Sequence, residues 1–174
     1  MNSRCIVYAV SFLGLAACAP LEQPKDDRFY LCRPFNHVWK DCAAVPLASS
    51  MEDAEAKNFK ASMTGKAQVY VVRRHTTKYQ KISEIVLNGK PVATLGPETY
   101  TVLNLDPGDY TLIASTDDKS VLQLTVLPGK NYYVKYNLTQ WLGTLSGKLM
   151  VANERDGQAL VNASKRARAK LDFK

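Results

Sequence analysis

Histidine is scarce in this sequence, with two residues among 174, His37 and His75. Histidine is the side chain that most often acts as a general acid or base near neutral pH, so a chain with two histidines has few candidates for this role. The patterns G-x-S-x-G, H-E-x-x-H and C-x-x-C are absent as well. We therefore expect that the protein is not an enzyme.

One segment superficially resembles a phosphate-binding loop, the run G-T-L-S-G-K at residues 143–148. A phosphate loop needs one more residue between its glycines and a Ser or Thr after the lysine, where this chain has Leu149. Its surroundings also favour β-structure over a strand followed by a helix. The sequence thus predicts no phosphate loop and no cofactor.

Long hydrophobic runs are also missing. The strongest apolar run, residues 5–17, is shorter than the roughly 20 residues of a transmembrane helix. It follows Arg4 and ends in Leu15-Ala16-Ala17-Cys18. A positive residue, a short apolar core and small residues in this order are typical of a secretory signal. The last four residues resemble the lipobox of bacterial lipoproteins, which predicts a signal peptide at residues 1–17.

The lipobox resemblance implies that Cys18 becomes the first mature residue and carries acyl chains, including palmitate, on its sulfur and usually its nitrogen. Two or three acyl chains hold a protein on a membrane effectively permanently. By the usual sorting rule, Asp after the cysteine retains a lipoprotein in the inner membrane. Ala19 stands there, so we expect an outer-membrane protein that faces the periplasm. The alternative is an ordinary secretory signal that contains Cys18 by accident.

Residues 18–28 are polar and contain prolines, which predicts a flexible tether between the lipid and the folded domain. The net charge of the whole chain is +7, and it falls to +6 when Arg4 leaves with the signal. A mild positive excess fits attraction to anionic surfaces such as lipid headgroups. Nucleic acid is not an expected partner for an exported protein.

Four cysteines are present, of which Cys5 leaves with the signal and Cys18 is lipidated. Cys32 and Cys42 remain as a pair in an oxidising compartment, so we expect a disulfide within residues 29–48. The alternative is a metal site that adds His37. Structural zinc sites need four ligands, commonly at tighter spacing such as C-x₂-C, so we expect no metal.

Residues 51–59 predict a short helix that begins with a capping box, formed by Ser49 and Glu52 or by Ser50 and Asp53. Period-two patterns follow, separated by turns such as Asn88-Gly89 and Pro107-Gly108. Predicted strands cover residues 67–74, 82–87, 91–95, 99–105, 110–115, 121–127, 131–139 and 145–151. Short strands at this spacing predict a mainly β, antiparallel β-sandwich over residues 49–153, transthyretin-like or Ig-like.

The C-terminal segment, residues 154–174, is basic and predicts a helix over residues 156–170 with a thin apolar stripe. Lys165, Arg166, Arg168 and Lys170 crowd its last turns. Together with Trp141, they form the candidate partner-binding surface. The alternatives are a solvated helix face that complements the dipole, and a Trp141-Leu142 plug over one end of the sandwich.

The tyrosines of the predicted strands are either core residues or an exposed strip for stacking on a glycan or a protein. Core packing is favoured because aromatic residues suit strands. Arg73 and Arg74 are adjacent in a predicted strand, so we expect one to be buried and the other solvated. The aromatic set comprises Tyr70, Tyr100, Tyr110, Tyr132, Tyr133 and Tyr136.

Four motifs between residues 54 and 134 resemble a family of uncharacterised bacterial domains that is common in small lipoproteins. The motifs are Gly65-Lys66-Ala67-Gln68-Val69-Tyr70-Val71-Val72-Arg73, Leu87-Asn88-Gly89-Lys90, Pro107-Gly108-Asp109-Tyr110 and Gly129-Lys130-Asn131-Tyr132-Tyr133-Val134. The hairpin and the Pro-Gly-x-Tyr turn also resemble small transthyretin-like and carboxypeptidase-regulatory-like sandwiches, which are binding and assembly modules. The resemblance implies a fold and a cellular address more than an activity.

These patterns lead to one principal hypothesis and one alternative. The first is a lipid-anchored periplasmic interaction or structural module of the bacterial envelope, with an envelope protein as partner, for example in a secretion or transport assembly. The alternative is an envelope module that binds glycan, peptidoglycan or lipid. The sequence does not define an oligomeric state.

Overall fold

The computed structural model describes residues 45–60, 65–74, 81–142 and 144–170. Within these ranges the chain forms two β-sheets packed face to face, with two helices on the outer side of the larger sheet. The mainly β sandwich with a short N-terminal and a C-terminal helix, predicted from turn spacing and alternation, is confirmed.

The elements follow the chain with short connections. They are α1 (Ser50–Ala56), β1 (Ala67–Arg73), β2 (Ser83–Leu87), β3 (Lys90–Leu95), β4 (Thr99–Leu105), β5 (Gly108–Ser115), β6 (Lys119–Val126), β7 (Asn131–Trp141), β8 (Thr144–Ala152), α2 (Glu154–Asn162) and β9 (Lys165–Arg166). The eight predicted strands all occur, as β1 to β8, with ends shifted by a few residues at most.

The larger sheet has the strand order β8-β7-β1-β4-β9, and the smaller has the order β3-β2-β5-β6. Most neighbours are antiparallel, but β1 pairs with β7 and β4 pairs with β9 in parallel. A parallel pair cannot be closed by a tight hairpin. The chain between β1 and β7 contributes β4 and builds the whole smaller sheet.

The central strand β1 is buried on both faces, which explains its continuous apolar run. Since successive side chains of a strand point to opposite faces, Val69 and Val71 lie in the core between the sheets. Tyr70 and Val72 lie in a second core on the outer face of the larger sheet, beneath the helices. The molecule therefore has three layers and two hydrophobic cores.

Helix α1 begins at a complete capping box. The side chain of Ser49 accepts a bond from the backbone N–H of Glu52 at 3.2 Å, and the Glu52 carboxylate accepts from the backbone N–H of Ser49 at 2.8 Å. This is one of the two caps that the sequence allowed. Phe59, just after the helix, packs into the second core, while Met51 is 77% exposed.

The second helix ends earlier than expected. Helix α2 is capped by Asn153 and stops at Asn162, so the prediction of a helix up to residue 170 is wrong. Beyond it the chain is extended: Lys165 N–H donates to the Glu98 carbonyl at 2.9 Å and Ala167 N–H to the Tyr100 carbonyl at 2.6 Å. Ala167 is completely buried where the chain pairs with β4. A surface helix with a thin apolar stripe would not bury this side chain to the same extent.

The chain entering the sandwich lies against this last strand. Ala48 N–H donates to the Arg166 carbonyl at 3.0 Å, and Arg168 N–H donates to the Pro46 carbonyl at 2.8 Å. An antiparallel bridge joins Leu47 to Ala167. The two ends of the described chain thus pair with each other at one edge of the larger sheet.

Candidate functional site

The predicted site residues fall into three groups. Cys18, Cys32 and Cys42 lie outside the described residues, so lipidation and the disulfide remain predictions. Lys165, Arg166, Arg168 and Lys170 lie on β9 and the extended segment after it. Trp141 ends β7, near the opposite edge of the sheet.

The four basic residues are not presented by a helix, and contacts within the fold engage Arg166 and Lys170 among them. The Arg166 guanidinium donates to the Glu52 carbonyl at 2.9 Å, and its backbone N–H donates to the Asp53 carboxylate at 2.9 Å. Lys170 lies 3.3 Å from the Glu84 carboxylate. These cations hold β9 and the C-terminal segment to α1 and β2, which leaves less of their charge for a partner.

Trp141 and the basic segment do not form one surface. β7 and β9 are separated by β1 and β4 in the sheet, so the candidate surface divides into two places. Leu142 follows Trp141 with a positive φ of 47° and is 91% exposed. The expectation that Leu142 helps to plug the sandwich is wrong for this side chain.

The tyrosines are mostly core residues, as the sequence favoured. Tyr70, Tyr100 and Tyr133 are buried in the second core, and Tyr136 is buried between the sheets. The Tyr70 ring lies between the other two rings of its core, with centroids at 5.2 Å from Tyr133 and 6.4 Å from Tyr100. Such a buried set cannot offer an exposed stacking strip.

Polar atoms at the rim of the second core form a closed network around Asp53. Its carboxylate accepts from the Tyr100 hydroxyl at 2.8 Å and from Arg166 N–H at 2.9 Å, and pairs with Lys57 at 2.8 Å. Burial, followed by the bond to Asp53, raises the pKa of the Tyr100 hydroxyl far above its ordinary value. The network ties α1, β4 and β9 together through the Asp53 carboxylate.

A buried arginine marks one end of the inter-sheet core. Arg73 is 0% exposed, and its guanidinium donates to the Leu95 carbonyl at 3.0 Å and to the Lys81 carbonyl. Burial lowers its pKa to about 10, so it stays charged at neutral pH. Arg74 is exposed on the other face, as the alternation of the strand predicted. Arg73 joins the larger sheet to β3 and to the start of β2.

The outer edge of β8 is covered by side chains from the turn between β5 and β6. Leu145 N–H donates to the Asp117 carboxylate at 3.0 Å, Gly147 N–H to Asp118 at 3.0 Å, and Leu149 N–H to the Ser120 hydroxyl at 2.9 Å. Unpaired edge amides invite strand addition from other chains. We name the segment Thr116–Ser120 the edge cap; it lies between two predicted strands, and the sequence assigned it no role.

The described residues show no arrangement typical of catalysis by a metal. Among them, no three His, Cys, Asp or Glu side chains lie close enough together to hold an ion. No helix in the same part of the chain is long and apolar enough to cross a membrane. The described residues instead form surfaces: a basic segment after β9, a capped edge at β8 and an exposed hairpin end at Leu142.

Comparisons with known proteins give one similarity. The chain is 20% identical over 122 residues to an uncharacterised protein of Haemophilus influenzae, a stretch that covers 70% of this chain and 73% of that protein. No protein-family model matches the sequence. No solved structure matches it either.

Proposed function

We propose that the protein is a lipid-anchored interaction module of the bacterial envelope, held on the outer membrane through Cys18 and facing the periplasm. The observation that carries the proposal is the sequence Leu15-Ala16-Ala17-Cys18 after a short apolar run. The anchor localises the sandwich, whose surfaces engage an envelope protein, for example in a secretion or transport assembly. The protein performs no catalysis in this role.

The predicted tether, residues 18–28, supports this role. At about 3.3–3.6 Å per residue, its 11 residues span at most roughly 40 Å when fully extended. A domain on such a tether can contact the membrane or a partner without losing its anchor.

The alternative, an envelope module that binds glycan, peptidoglycan or lipid, is favoured by the net charge of +7. The buried tyrosines speak against a stacking site for sugars, because their rings contact one another and Phe59 instead of solvent. Arg166 and Lys170 are engaged within the fold. Protein interaction therefore ranks first.

The anchor is tested by Cys18→Ser, with Cys5→Ser as the matched control because Cys5 precedes the cleavage site. We expect the wild type and Cys5→Ser to incorporate labelled palmitate and to sediment with membranes. Cys18→Ser is expected to lose the label and to leave the membrane fraction. Labelled Cys18→Ser protein would refute the proposal.

The partner is tested by a photo-reactive residue at Arg168 in living cells, with the crosslinked species identified by mass spectrometry. A discrete protein captured in high yield supports the interaction module. Capture of glycan or lipid alone refutes it in favour of the alternative. A second probe position at Met51, which is 77% exposed on α1, reports non-specific capture.

A further inference from the structure

Among the described residues, the β7–β8 hairpin extends beyond the other strands of its sheet. β7 has 11 residues and its pairing with β1 ends at Tyr136, so within the described part of the chain residues 137–141 pair with β8 alone. We name the projecting part, residues 137–148 apart from residue 143, the arm. Its register is continuous, from Asn137 opposite Lys148 to Trp141 opposite Thr144.

The arm is held firmly on its inner side. Leu138 and Leu145 are 7% and 2% exposed within the inter-sheet core. The edge cap adds bonds to the backbone of β8, including Thr116 Oγ1 to the Leu145 carbonyl at 3.2 Å. An exposed apolar residue at the end of this arm is therefore presented on a rigid support.

The outer face of the arm and of the sheet beside it is positive. Lys148 and Arg74 are exposed, and Lys135 is half-buried. Arg74 N–H donates to the Tyr136 carbonyl at 3.3 Å, which places Arg74 beside Asn137 and across from Lys148.

The hairpin itself carries no acidic residue, and the two carboxylates that reach its edge, those of Asp117 and Asp118, accept bonds from backbone N–H groups of β8. Residues 131–152 contain two lysines and no Asp or Glu. Among the described residues no salt bridge involves the three cations Arg74, Lys135 and Lys148.

The end of the arm is apolar. Leu142 is the most exposed of the large hydrophobic residues that the structure describes, at 91%. Lys148 lies four residues from Thr144 along β8, about 13 Å at the rise of an antiparallel strand. Each interfacial layer of a bilayer is roughly 5–8 Å thick. When Leu142 reaches the acyl boundary, the backbone at the level of Lys148 and Arg74 therefore lies about 5–8 Å outside the headgroup layer, a distance that a Lys or Arg side chain can span.

We propose that the arm and the basic face beside it form a membrane-contact surface, on which Leu142 enters the interfacial layer of an anionic bilayer and Arg74 and Lys148 bind lipid phosphates. The proposal rests on the proposed function, because the lipid on Cys18 brings the domain to a bilayer. The arm then sets the orientation of the sandwich on its tether. The basic segment after β9, at the opposite edge, is left facing a protein partner.

The test uses purified, lipidated protein in vesicles of phosphatidylcholine alone or of equimolar phosphatidylcholine and phosphatidylglycerol. A photo-reactive residue replaces Leu142 in one variant and Met51 in the matched control, which is also exposed and apolar. We expect lipid adducts from position 142 in the anionic vesicles, and few from position 51. Equal yields from the two positions, or protein adducts alone from position 142, would overturn the proposal.

A second measurement tests the charge. Each lysine near an anionic surface contributes about fivefold to binding, which corresponds to about 1 kcal/mol. We expect Lys148→Ala to lower the adduct yield from position 142 in anionic vesicles by up to roughly fivefold. Lys90→Ala, at an exposed end of the smaller sheet, is the control and is expected to leave the adduct yield from position 142 unchanged. An equal decrease in yield for the two variants would contradict a specific role of Lys148.

Failure of the anchor is distinguishable from failure of the arm. Mass spectrometry of the purified protein reports acylation of Cys18 independently of any crosslink. An unlipidated protein whose position 142 still captures anionic lipid contradicts the proposed function and supports the arm. A lipidated protein whose position 142 captures no anionic lipid supports the anchor and contradicts the membrane-contact surface.

Discussion

Gly157 allows α2 to lie directly on the ring of Tyr133. A Cβ atom at this position would lie 2.2 Å from Tyr133 Cγ and 2.3 Å from Tyr133 Cβ. Ordinary carbon–carbon contacts are about 3.5–4.0 Å. Both atoms are close to the backbone of β7 and cannot rotate away, so the helix itself must shift in a Gly157→Ala variant.

The two effects of this substitution have opposite signs. Replacing a helical glycine by alanine stabilises a helix by about 1 kcal/mol. Overpacking a well-packed core costs about 1–3 kcal/mol, occasionally more. An overlap above 1 Å with two atoms places Gly157→Ala at the upper end of that range. We expect a net loss of about 2 kcal/mol in the free energy of unfolding.

Urea denaturation and thermal unfolding measure this loss. A decrease of about 2 kcal/mol lowers Tm by roughly 6–8 °C for a domain of this size. Ala159→Gly, at an exposed position of the same helix, is the control and reports helix propensity alone. If Gly157→Ala raises Tm, propensity dominates and the close contact between α2 and Tyr133 is wrong.

Three further predictions concern other features. Tyr100→Phe removes the hydroxyl bond to the Asp53 carboxylate and should lower stability by about 1.5–3 kcal/mol in urea denaturation; an unchanged midpoint contradicts the network. Burial raises the pKa of Tyr70 to about 12. Because the tyrosine ionises at lower pH in the unfolded chain than in the folded one, the free energy of unfolding should fall as the pH rises above 10. A series of urea denaturations at increasing pH should show a shallower fall for Tyr70→Phe. Ala19→Asp should move the protein to the inner-membrane fraction of a density gradient, while Ala19→Ser should not.

The strands were predictable because local signals and burial agree. β2 and β3 meet at Asn88-Gly89, whose φ values of 46° and 80° suit a tight hairpin. β7 alternates Tyr132, Val134 and Tyr136 toward one core, with Tyr133 toward the other. Side-chain alternation of this kind follows from strand geometry alone. Strand geometry does not determine which strands become neighbours, so the sequence did not predict the parallel pairs β1–β7 and β4–β9.

The end of the C-terminal helix was mispredicted because a segment with helical spacing of apolar residues is followed directly by one with the two-residue alternation of a strand. Residues 154–162 have helical spacing, but Arg166-Ala167-Arg168-Ala169-Lys170 alternates charged and small residues with a period of two. That alternation suits an edge strand. Only the partner strands, β4 and the chain around Leu47, make the extended form favourable, and their position is set by the tertiary fold.

The candidate site was recovered in part. Sequence reasoning singled out Trp141 and Leu142, and the structure places Leu142 at an exposed hairpin end. It grouped Trp141 with the basic residues, and the sheet separates them. The edge cap was missed because each of its bonds to β8 joins residues 28 or 29 positions apart, and no local pattern encodes them.

The pairing of the two chain ends has a consequence for biogenesis. Leu47 is among the first described residues to be synthesised and Ala167 among the last, yet they form one bridge. The edge of β4 therefore stays open until nearly the whole chain is available. Non-local pairing of this kind closes slowly. We therefore expect the sheet to close only after the residues around Ala167 have been synthesised, so that folding follows synthesis of the domain.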